Sequence, residues 1–359
     1  MKIQRFFLGC ALLGVMAFIP ALYAEQFVQK DMIMVNDLFS KTKPQCIGIY
    51  MVDVPEIFNN VRNVSTYDDF KIESKFIYRP AFEQRIARRE QELHNAINMP
   101  GNEPENGPFI KEIIRLPNNQ GVIFDRNIPN QDDLGRVLEA HVYINHIAFI
   151  ITTEILDLSP SKYMERKKTY INAGFTEAEM NEKPSKLAAL RSLISRLNGR
   201  LDDEIPTEKG VCIPNGFISG DSSQHKVVIG FNYENEDFKL SVNTNNTMLA
   251  DGDTLFGRSD AIDDELKHSY MKLIKKESLT VNSIPTEALF VQGIQPYDGK
   301  KLQVYDFILY ANEAVATASR HLVKIGMNSQ YKQTRYSEEQ MVDIWDRVVS
   351  SLRYKPNAF

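Results

Sequence analysis

The stretch Cys46-Ile-Gly-Ile-Tyr-Met-Val-Asp-Val-Pro55 decides how the first half of the chain begins to fold. Its β-branched and apolar residues predict a strand over residues 47–54, which Pro55 ends because proline lacks a backbone N–H for the ladder. A second stretch of this kind, Gly210-Val-Cys-Ile-Pro-Asn-Gly-Phe-Ile218, lies in the second half. Each stretch places a cysteine in a predicted strand, so the two halves of the chain begin alike.

Hydrophobic periodicity predicts the other elements of the first half. Runs in which apolar and polar residues alternate, or in which β-branched residues dominate, indicate strands. Apolar residues at helical spacing indicate helices, and an apolar stripe runs from Leu187 to Leu201 in the last of them. The further strands are predicted at 68–79, 110–116, 121–126 and 136–153, and the helices at 81–97, 161–173 and 186–201.

The second half has the same mixture of elements, with Asn, Gly and Asp residues that mark turns between its strands. Its strands are predicted at 211–219, 225–231, 239–244, 254–256, 289–294, 302–311 and 321–327, and a helix at 261–275. This mixture predicts the α+β class. We expect two domains, each with a mainly antiparallel sheet and covering helices.

A final helix is predicted between Ser337 and Pro356. Ser337 and Gln340, three residues later, match the capping box that begins many helices. Residues at helical spacing form an apolar face that includes the single tryptophan of the chain, and we expect this face to be buried. These residues are Met341, Ile344, Trp345, Val348 and Leu352.

The first residues have the pattern of a secretory leader. Lys2 and Arg5 precede an almost wholly apolar run over residues 6–18, Pro20 breaks that run, and Ala24 offers a small residue for cleavage. The alternative is an uncleaved membrane anchor, but the proline and the small-residue exit favour cleavage after Ala24. We therefore expect an exported, periplasmic protein.

The length of 359 residues exceeds one ordinary core and predicts two domains. The net charge is −5, and removal of Lys2 and Arg5 with the leader takes it to −7. A mildly acidic protein is a poor candidate for binding nucleic acid or anionic lipid. No second apolar run reaches spanning length, so we expect no membrane association after cleavage. The polar segment 202–209 marks the division: leader 1–24, first domain 25–203, linker 204–209 and second domain 210–359.

Cys46 and Cys212 are the two cysteines that remain after cleavage. In an oxidising compartment an isolated pair forms a disulfide when the geometry permits it. The alternative is two buried free thiols, one in each domain. The sequence leaves both interpretations open.

The chain has no strong catalytic, metal or cofactor motif. Gly257-Arg-Ser-Asp-Ala261 comes nearest to a hydrolase nucleophile, with Ser259 between a predicted strand and a helix. Ala261 replaces the second glycine of that motif, and neither His268 nor His321 has an evident pairing partner. A surface turn that leads into the helix is the simpler interpretation, and Ser259 stays as the alternative of a secreted serine hydrolase.

The histidines lack metal-site spacing. His141 and His146 lie five positions apart in a predicted strand and should therefore point to opposite faces. We interpret them as core or rim histidines and expect no metal and no cofactor. The charged run from Arg85 to Glu92 is typical of a solvated helix face.

Several segments resemble one family: the two-domain immunity proteins that protect bacteria from phospholipase effectors of the type VI secretion system. In the first half the resemblance lies in Cys46–Tyr50 and Val52–Pro55, although Ile49 stands where the family usually has arginine. In the second half it lies in Gly210–Ile218 and Leu255–Arg258. The end of the chain, from Trp345 to Phe359, is the most similar segment.

The resemblance implies a periplasmic inhibitor whose two domains clasp a cognate lipase effector like a claw, with the partner in the cleft between the domains. It implies no catalytic residue and no cofactor. The individual contact residues do not follow from the motifs. A third hypothesis, a solute-binding or scaffold protein of the periplasm, fits less well, because the alternating βα pattern of solute-binding folds is missing.

Overall fold

The structure is a computed structural model that describes residues 33–359. The predicted leader therefore lies outside the described residues. The α+β class with mainly antiparallel strands is confirmed, and every strand ladder within residues 33–359 is antiparallel. Within residues 33–359, no helix is long and apolar enough to cross a membrane.

Strands dominate the first half of the described chain, and residues 33–38 before them are helical. The strands are β1 Thr42–Ile47, β2 Tyr50–Pro55, β3 Asn59–Asn60, β4 Val64–Tyr67, β5 Phe70–Phe76, β6 Ile110–Arg115, β7 Gly121–Asn127, β8 Gly135–Ile144, β9 Ile147–Leu156 and β10 Leu197–Gly199. The helices are α1 Arg79–Asn95, α2 Met164–Asn172, α3 Glu177–Met180 and α4 Lys183–Arg196.

The second half adds nine strands and two helices. The strands are β11 Gly210–Ile213, β12 Gly216–Ser219, β13 Val227–Glu234, β14 Lys239–Asn245, β15 Met271–Val281, β16 Ile284–Tyr297, β17 Lys300–Ala311, β18 Leu322–Asn328 and β19 Arg353–Tyr354. The helices are α5 Ser259–His268 and α6 Glu338–Ser350.

Strands from both halves form one sheet of 13 strands. Its order is β15-β16-β17-β18-β14-β13-β4-β5-β9-β8-β7-β6, and β3 pairs with β13 beside this path. Two sheets of three strands also combine the halves: β2 pairs with both β1 and β19, and β12 pairs with both β10 and β11. The two predicted sheets are thus joined into a single one.

Three predicted strands are hairpins in the structure. The run 47–54 belongs to β1 and β2, which turn at Gly48 with a φ of +60°. The run 136–153 is divided into β8 and β9 by Asn145 and His146, both with positive φ. The run 211–219 is divided by Asn215, whose φ is also positive. A single strand was the wrong prediction in each case, because an apolar run continues through a two-residue turn without a break in its pattern.

Element boundaries also differ in the second half. The strand predicted at 254–256 is a turn. The helix predicted at 261–275 runs from Ser259 to His268 and ends before Tyr270, which has a φ of +56°. The chain then enters β15, because residues 271–281 pair with β16 and form the edge of the large sheet.

Helix α4 is also displaced from the prediction. It covers Lys183–Arg196 rather than 186–201, and Leu197 belongs to β10. Leu201, the last residue of the predicted stripe, is 46% exposed. Leu190, Leu193 and Ile194 are buried against the main core.

The last helix follows the prediction at its start. Ser337 accepts a hydrogen bond from the backbone of Gln340, whose side chain bonds back to the backbone of Ser337. The ring of Trp345 is 1% exposed and meets Phe290 and Phe307 edge to face, with ring centroids 5.9 Å apart in both pairs. The helix ends at Ser350, because residues 353–354 leave it to pair with β2.

Candidate interaction surface at the junction of the two halves

The large sheet passes from one half of the chain to the other between β4 and β13. Four residue pairs form this ladder, from Val227 opposite Tyr67 to Gly230 opposite Val64. Strand β3 extends the contact, with Tyr233 opposite Asn60. A continuous ladder fixes the relative position of the strands that it joins, so the two halves share one rigid platform.

A disulfide crosses the same junction. Cys46 and Cys212 are bonded, their Cα atoms lie 5.7 Å apart, and both residues are fully buried. Beside the bond, the backbone N–H of Gly48 donates to the carbonyl of Cys212, and the N–H of Cys212 donates back. A β-carbon on Gly48 would lie 2.4 Å from a methyl group of Thr244, so only glycine fits this close approach.

Arg200 joins the two hairpins next to the disulfide. Its guanidinium donates to the carbonyl oxygens of Cys46 at 3.1 Å and of Gly216 at 3.0 Å. It also donates to the carbonyls of Leu201 and Glu204. Burial lowers the pKa of Arg200, and the charge of Asp202 opposes this effect. The side chain therefore acts as a buried cross-link between carbonyl groups.

The end of the chain closes the junction from another side. Strand β19 pairs with β2, where Tyr354 lies opposite Tyr50. The amide of Asn312 donates to the hydroxyls of Tyr50 and Tyr354, and the Tyr50 hydroxyl donates to the carbonyl of His321. Burial is the main cause of the raised pKa of Tyr50. Two of the segments that carry the family resemblance, the one that begins at Cys46 and the one at the end of the chain, thus meet through Tyr50 and Tyr354.

Two adjoining depressions open at this junction, and we call them together the junction groove. They share Asn60 and Asp202, and the larger has a volume of about 510 Å³. The first half lines that depression with Arg62, Glu73 and Ser74, and the second half lines it with Pro214 and Asn215. The groove is therefore concave and formed by both halves.

Hydrogen bonds hold the floor of the junction groove in place. The carboxylate of Asp202 accepts from the backbone N–H of Asn215 at 2.6 Å and from the side chain of Asn60 at 3.2 Å. Burial raises the pKa of Asp202. The carbonyl of Pro214 accepts from the hydroxyl of Ser74. These bonds connect the 56–63 segment with the hairpin of β11 and β12.

The rim of the groove offers charges to a partner. Arg62 and Glu73 are exposed, and within residues 33–359 neither side chain makes an ion pair or a hydrogen bond. Asp203 is also exposed at the neighbouring depression. Unpaired rim charges of both signs are suited to orient a charged protein surface over the groove.

The structure places Ser259 at the start of α5, after a turn rather than a strand. Its hydroxyl accepts from the ammonium of Lys276 at 2.7 Å, and Lys276 is also ion-paired with Asp263 at 2.8 Å. His268 bonds to the carbonyl of Asp264. The ammonium of Lys276 is the donor in both contacts, so it offers no acceptor for the proton of Ser259.

The two histidines that were expected in one strand lie in different settings. His141 is buried in β8 and its Nε2 is 2.8 Å from Glu139. His146 occupies the turn between β8 and β9, 3.4 Å from the hydroxyl of Tyr143. The face assignment from strand alternation was therefore wrong for His146. Among residues 33–359, no group of three or more His, Cys, Asp or Glu side chains is arranged to hold a metal ion.

The role of Arg200 was not predicted from the sequence. Its partners are carbonyl groups up to 154 positions away, and no side-chain motif marks such a site. The charged run of α1 was also interpreted incompletely. Arg89 from this run is bonded to the buried carboxylate of Glu139 through two nitrogens, at 2.7 and 2.8 Å.

Solved structures of immunity proteins share this fold. The apo immunity protein TplEi of the type VI secretion system of Pseudomonas aeruginosa matches with a TM-score of 0.64 and 17% identity, over 88% of this chain and 97% of that one. A chain in a Tle4–Tli4 complex matches with a TM-score of 0.63 and 18% identity, over 88% of this chain and 98% of that one. The structure of TplEi in complex with an "L" peptide matches with a TM-score of 0.59 and 18% identity, over 88% of this chain and 98% of that one.

Among curated protein sequences, none is similar enough to count as a match. Two family models do match, and together they span most of the chain. The N-terminal domain of Tle cognate immunity protein 4 matches residues 43–200, and the C-terminal domain matches residues 204–357. The chain therefore belongs to the Tle cognate immunity protein 4 family.

Proposed function

We propose that this chain binds a cognate lipase effector of the type VI secretion system and inhibits it by steric occlusion, without catalysis of its own. Family membership carries this proposal. One protein of the same fold is known in a Tle4–Tli4 complex. The hydrogen bonding of Ser259 supports inhibition over hydrolysis, because its lysine neighbour is itself ion-paired.

The junction groove is the surface that we propose for the effector. Steric inhibition requires a surface that keeps its shape, since ordering a loose surface on binding reduces affinity. The groove has that support: the β4–β13 ladder, the Cys46–Cys212 bond and Arg200 all lie at the junction. A partner seated there would contact both halves at once, as a clasp does.

We propose further that the protein works in the periplasm after cleavage behind Ala24. The division into domains at 25–203 and 210–359 with a linker at 204–209 belongs to the same proposal. The positions of the two family matches, 43–200 and 204–357, support that division. A disulfide between the halves is in keeping with an oxidising compartment.

Co-purification tests the function. Residues 25–359 from the periplasm are mixed with lipase effectors of the same organism, and phospholipase activity is measured on each complex. We expect a stable complex whose activity is lost and no ester hydrolysis by the chain alone. If the chain alone hydrolyses esters and its Ser259→Ala variant does not, the hydrolase alternative is established instead.

Charge reversal tests the surface. Arg62→Glu and Glu73→Lys change unpaired rim residues and should weaken effector binding about tenfold or more, with unchanged melting temperatures. Glu165→Lys is the matched control, since Glu165 is exposed on α2 and does not line the groove. Equal binding by all three variants would place the effector elsewhere on the molecule.

A further inference from the structure

The hairpin between β16 and β17 extends past the strands on either side of it. Residues 294–297 and 300–303 lie opposite each other in four pairs. The ladder that β15 forms with β16 ends at Gly293, and the ladder that β18 forms with β17 begins at Asp306. Within the described residues, these four pairs therefore have no third strand beside them. We call residues 294–303 the hairpin tip.

Both faces of the hairpin tip expose apolar side chains. Ile294 is 58% exposed on one face, and Tyr297 is exposed on the other, because side chains three positions apart in a strand point to opposite sides. The ring of Tyr331 packs on that of Tyr297, with centroids 5.7 Å apart, and is also exposed. Tyr270, just before β15, is 88% exposed at the same end of the sheet. A cluster of exposed apolar side chains marks a surface that meets a partner.

The charged side chains at the hairpin tip are mainly lysines without partners. Lys300 and Lys301 are exposed on opposite faces of the tip, and Lys272 is exposed in the adjoining strand β15. In the part of the chain that the structure describes, none of these ammonium groups has a hydrogen bond or an ion pair. Asp298 in the turn is the one carboxylate of residues 294–303. Three lysines against one carboxylate give a local charge of +2, in a chain whose net charge is −5.

This local charge matters more than the net charge for a surface that the tip touches. Exposed charges are screened beyond about 8 Å at physiological ionic strength, so distant carboxylates hardly oppose the lysines. The acidic start of helix α6 lies nearer the core, where Glu338 accepts a hydrogen bond from Gln292. The net charge of the chain predicted no attraction to anionic lipid, and the hairpin tip is a local exception to that average.

The chemistry of the hairpin tip fits an anionic bilayer better than a folded protein surface. Protein interfaces are depleted of lysine and enriched in arginine, whereas anionic headgroups attract clusters of lysine. Tyrosine rings and lysine stems suit the boundary between headgroups and acyl chains, because each has an apolar body and a polar end. A bilayer also encloses what enters it and so covers both faces of the tip, whereas a flat protein surface covers only one.

We propose that the hairpin tip binds the surface of bilayers that contain anionic phospholipid. Ile294 and Tyr297 enter the boundary of the acyl chains from the two faces of the tip, and the three lysines contact headgroup phosphates. The tip is separate from the junction groove, since none of residues 294–303 lines that groove. The inference therefore does not depend on the effector, and binding at the tip leaves the groove free.

Flotation with vesicles tests the proposal. Residues 25–359 are mixed with vesicles of phosphatidylcholine alone, or of phosphatidylcholine and phosphatidylglycerol in equal parts, and the floating fraction is measured. We expect flotation with the anionic vesicles only, and its loss in about 1 M salt, where the screening length is about 3 Å. Absence of flotation with both kinds of vesicle, or equal flotation with both, refutes the proposal.

Charge reversal tests the role of the lysines. Lys300→Glu with Lys301→Glu should weaken binding to the anionic vesicles about tenfold or more, because two attractive charges become repulsive. Lys71→Glu with Lys75→Glu is the matched control, since both lysines are exposed on β5 and lie outside the tip. An equal loss in the two double variants would show attraction to the protein as a whole and overturn the site.

Two further variants test entry into the bilayer. Ile294→Ser should weaken binding about fivefold or more through the loss of apolar contact, with an unchanged melting temperature because the side chain is exposed. Tyr297→Trp places a fluorescent ring at the tip, and we expect its emission to shift to the blue with anionic vesicles. Trp345 is buried and should not respond. Flotation without this shift, or tip variants that weaken an effector complex but not flotation, would make the tip a protein contact and overturn the proposal.

Discussion

Arg200 donates a hydrogen bond to the carbonyl oxygen of Cys46 at 3.1 Å, across 154 positions of sequence. The same guanidinium reaches the carbonyl of Gly216, opposite Ile213 in the second hairpin. One side chain therefore connects the hairpins that open the two halves, beside the disulfide that connects them covalently. The hydrogen bonds of Arg200 that join the halves end on backbone carbonyl groups, which every residue has, so no sequence motif marks them.

Arg200→Ala should lower the free energy of unfolding by about 3 kcal/mol, because it removes a charged donor from the buried carbonyls of Cys46 and Gly216. Denaturant unfolding measures this value. Arg191→Ala is the control: Arg191 is exposed on α4, and we expect a change within about 0.5 kcal/mol. An equal effect of both variants would contradict the cross-linking role of Arg200.

Removal of the disulfide should destabilise the whole chain. The bond joins residues 166 positions apart, and Cys46→Ala with Cys212→Ala should cost about 2–4 kcal/mol through the larger freedom of the unfolded chain. Denaturant midpoints with and without reductant test this prediction. The native protein should respond to reductant and the double variant should not.

Trp345→Ala should lower the free energy of unfolding by about 3–5 kcal/mol, since the ring is buried between two phenylalanines and leaves a cavity. Trp345→Phe retains an aromatic ring and should cost less. Thermal unfolding compares the two variants. An unchanged melting temperature for Trp345→Ala would contradict the placement of this ring in the core.

Asp306 should make stability depend on pH. Burial raises its pKa from 3.8 to about 6, although Lys324 acts in the opposite direction. Between these values the folded state holds a proton that the unfolded chain has lost, so the free energy of unfolding falls as pH rises through this window.

Asp306→Asn should abolish this contribution and gain stability relative to the native protein as pH rises from 3.8 to 6. Denaturant midpoints of both proteins across the window provide the measurement. A difference between the two midpoints that does not change with pH would show that Asp306 does not titrate there.

Local signals in this sequence predicted local structure well. The capping box at Ser337 and Gln340 is formed, and the face with Trp345 is buried, because both depend on residues within a few positions. Turns inside apolar runs were missed at Gly48, Asn145 and Asn215, since one or two residues with positive φ hardly disturb a hydrophobic pattern. The helix prediction at 261–275 failed because pairing with β16 decides the state of residues 271–275.

The sequence predicted less of the candidate site than of the local structure. The export pattern, two halves and the absence of a strong catalytic motif pointed to a binding protein, and the motifs pointed to the family. The junction groove, however, brings Asn60 and Asp202 together over 142 positions. Arg200 likewise derives its role from distant partners, which no spacing in the sequence encodes.

The four residue pairs between β4 and β13 have a consequence for any attempt to divide the protein. Separate expression of the halves would turn both strands into open sheet edges, and open edges recruit other strands and aggregate. Each half would also lose the partner of its cysteine. We therefore expect each domain to depend on the other for folding, so that under the proposed function a cell that makes only one half gains no partial protection.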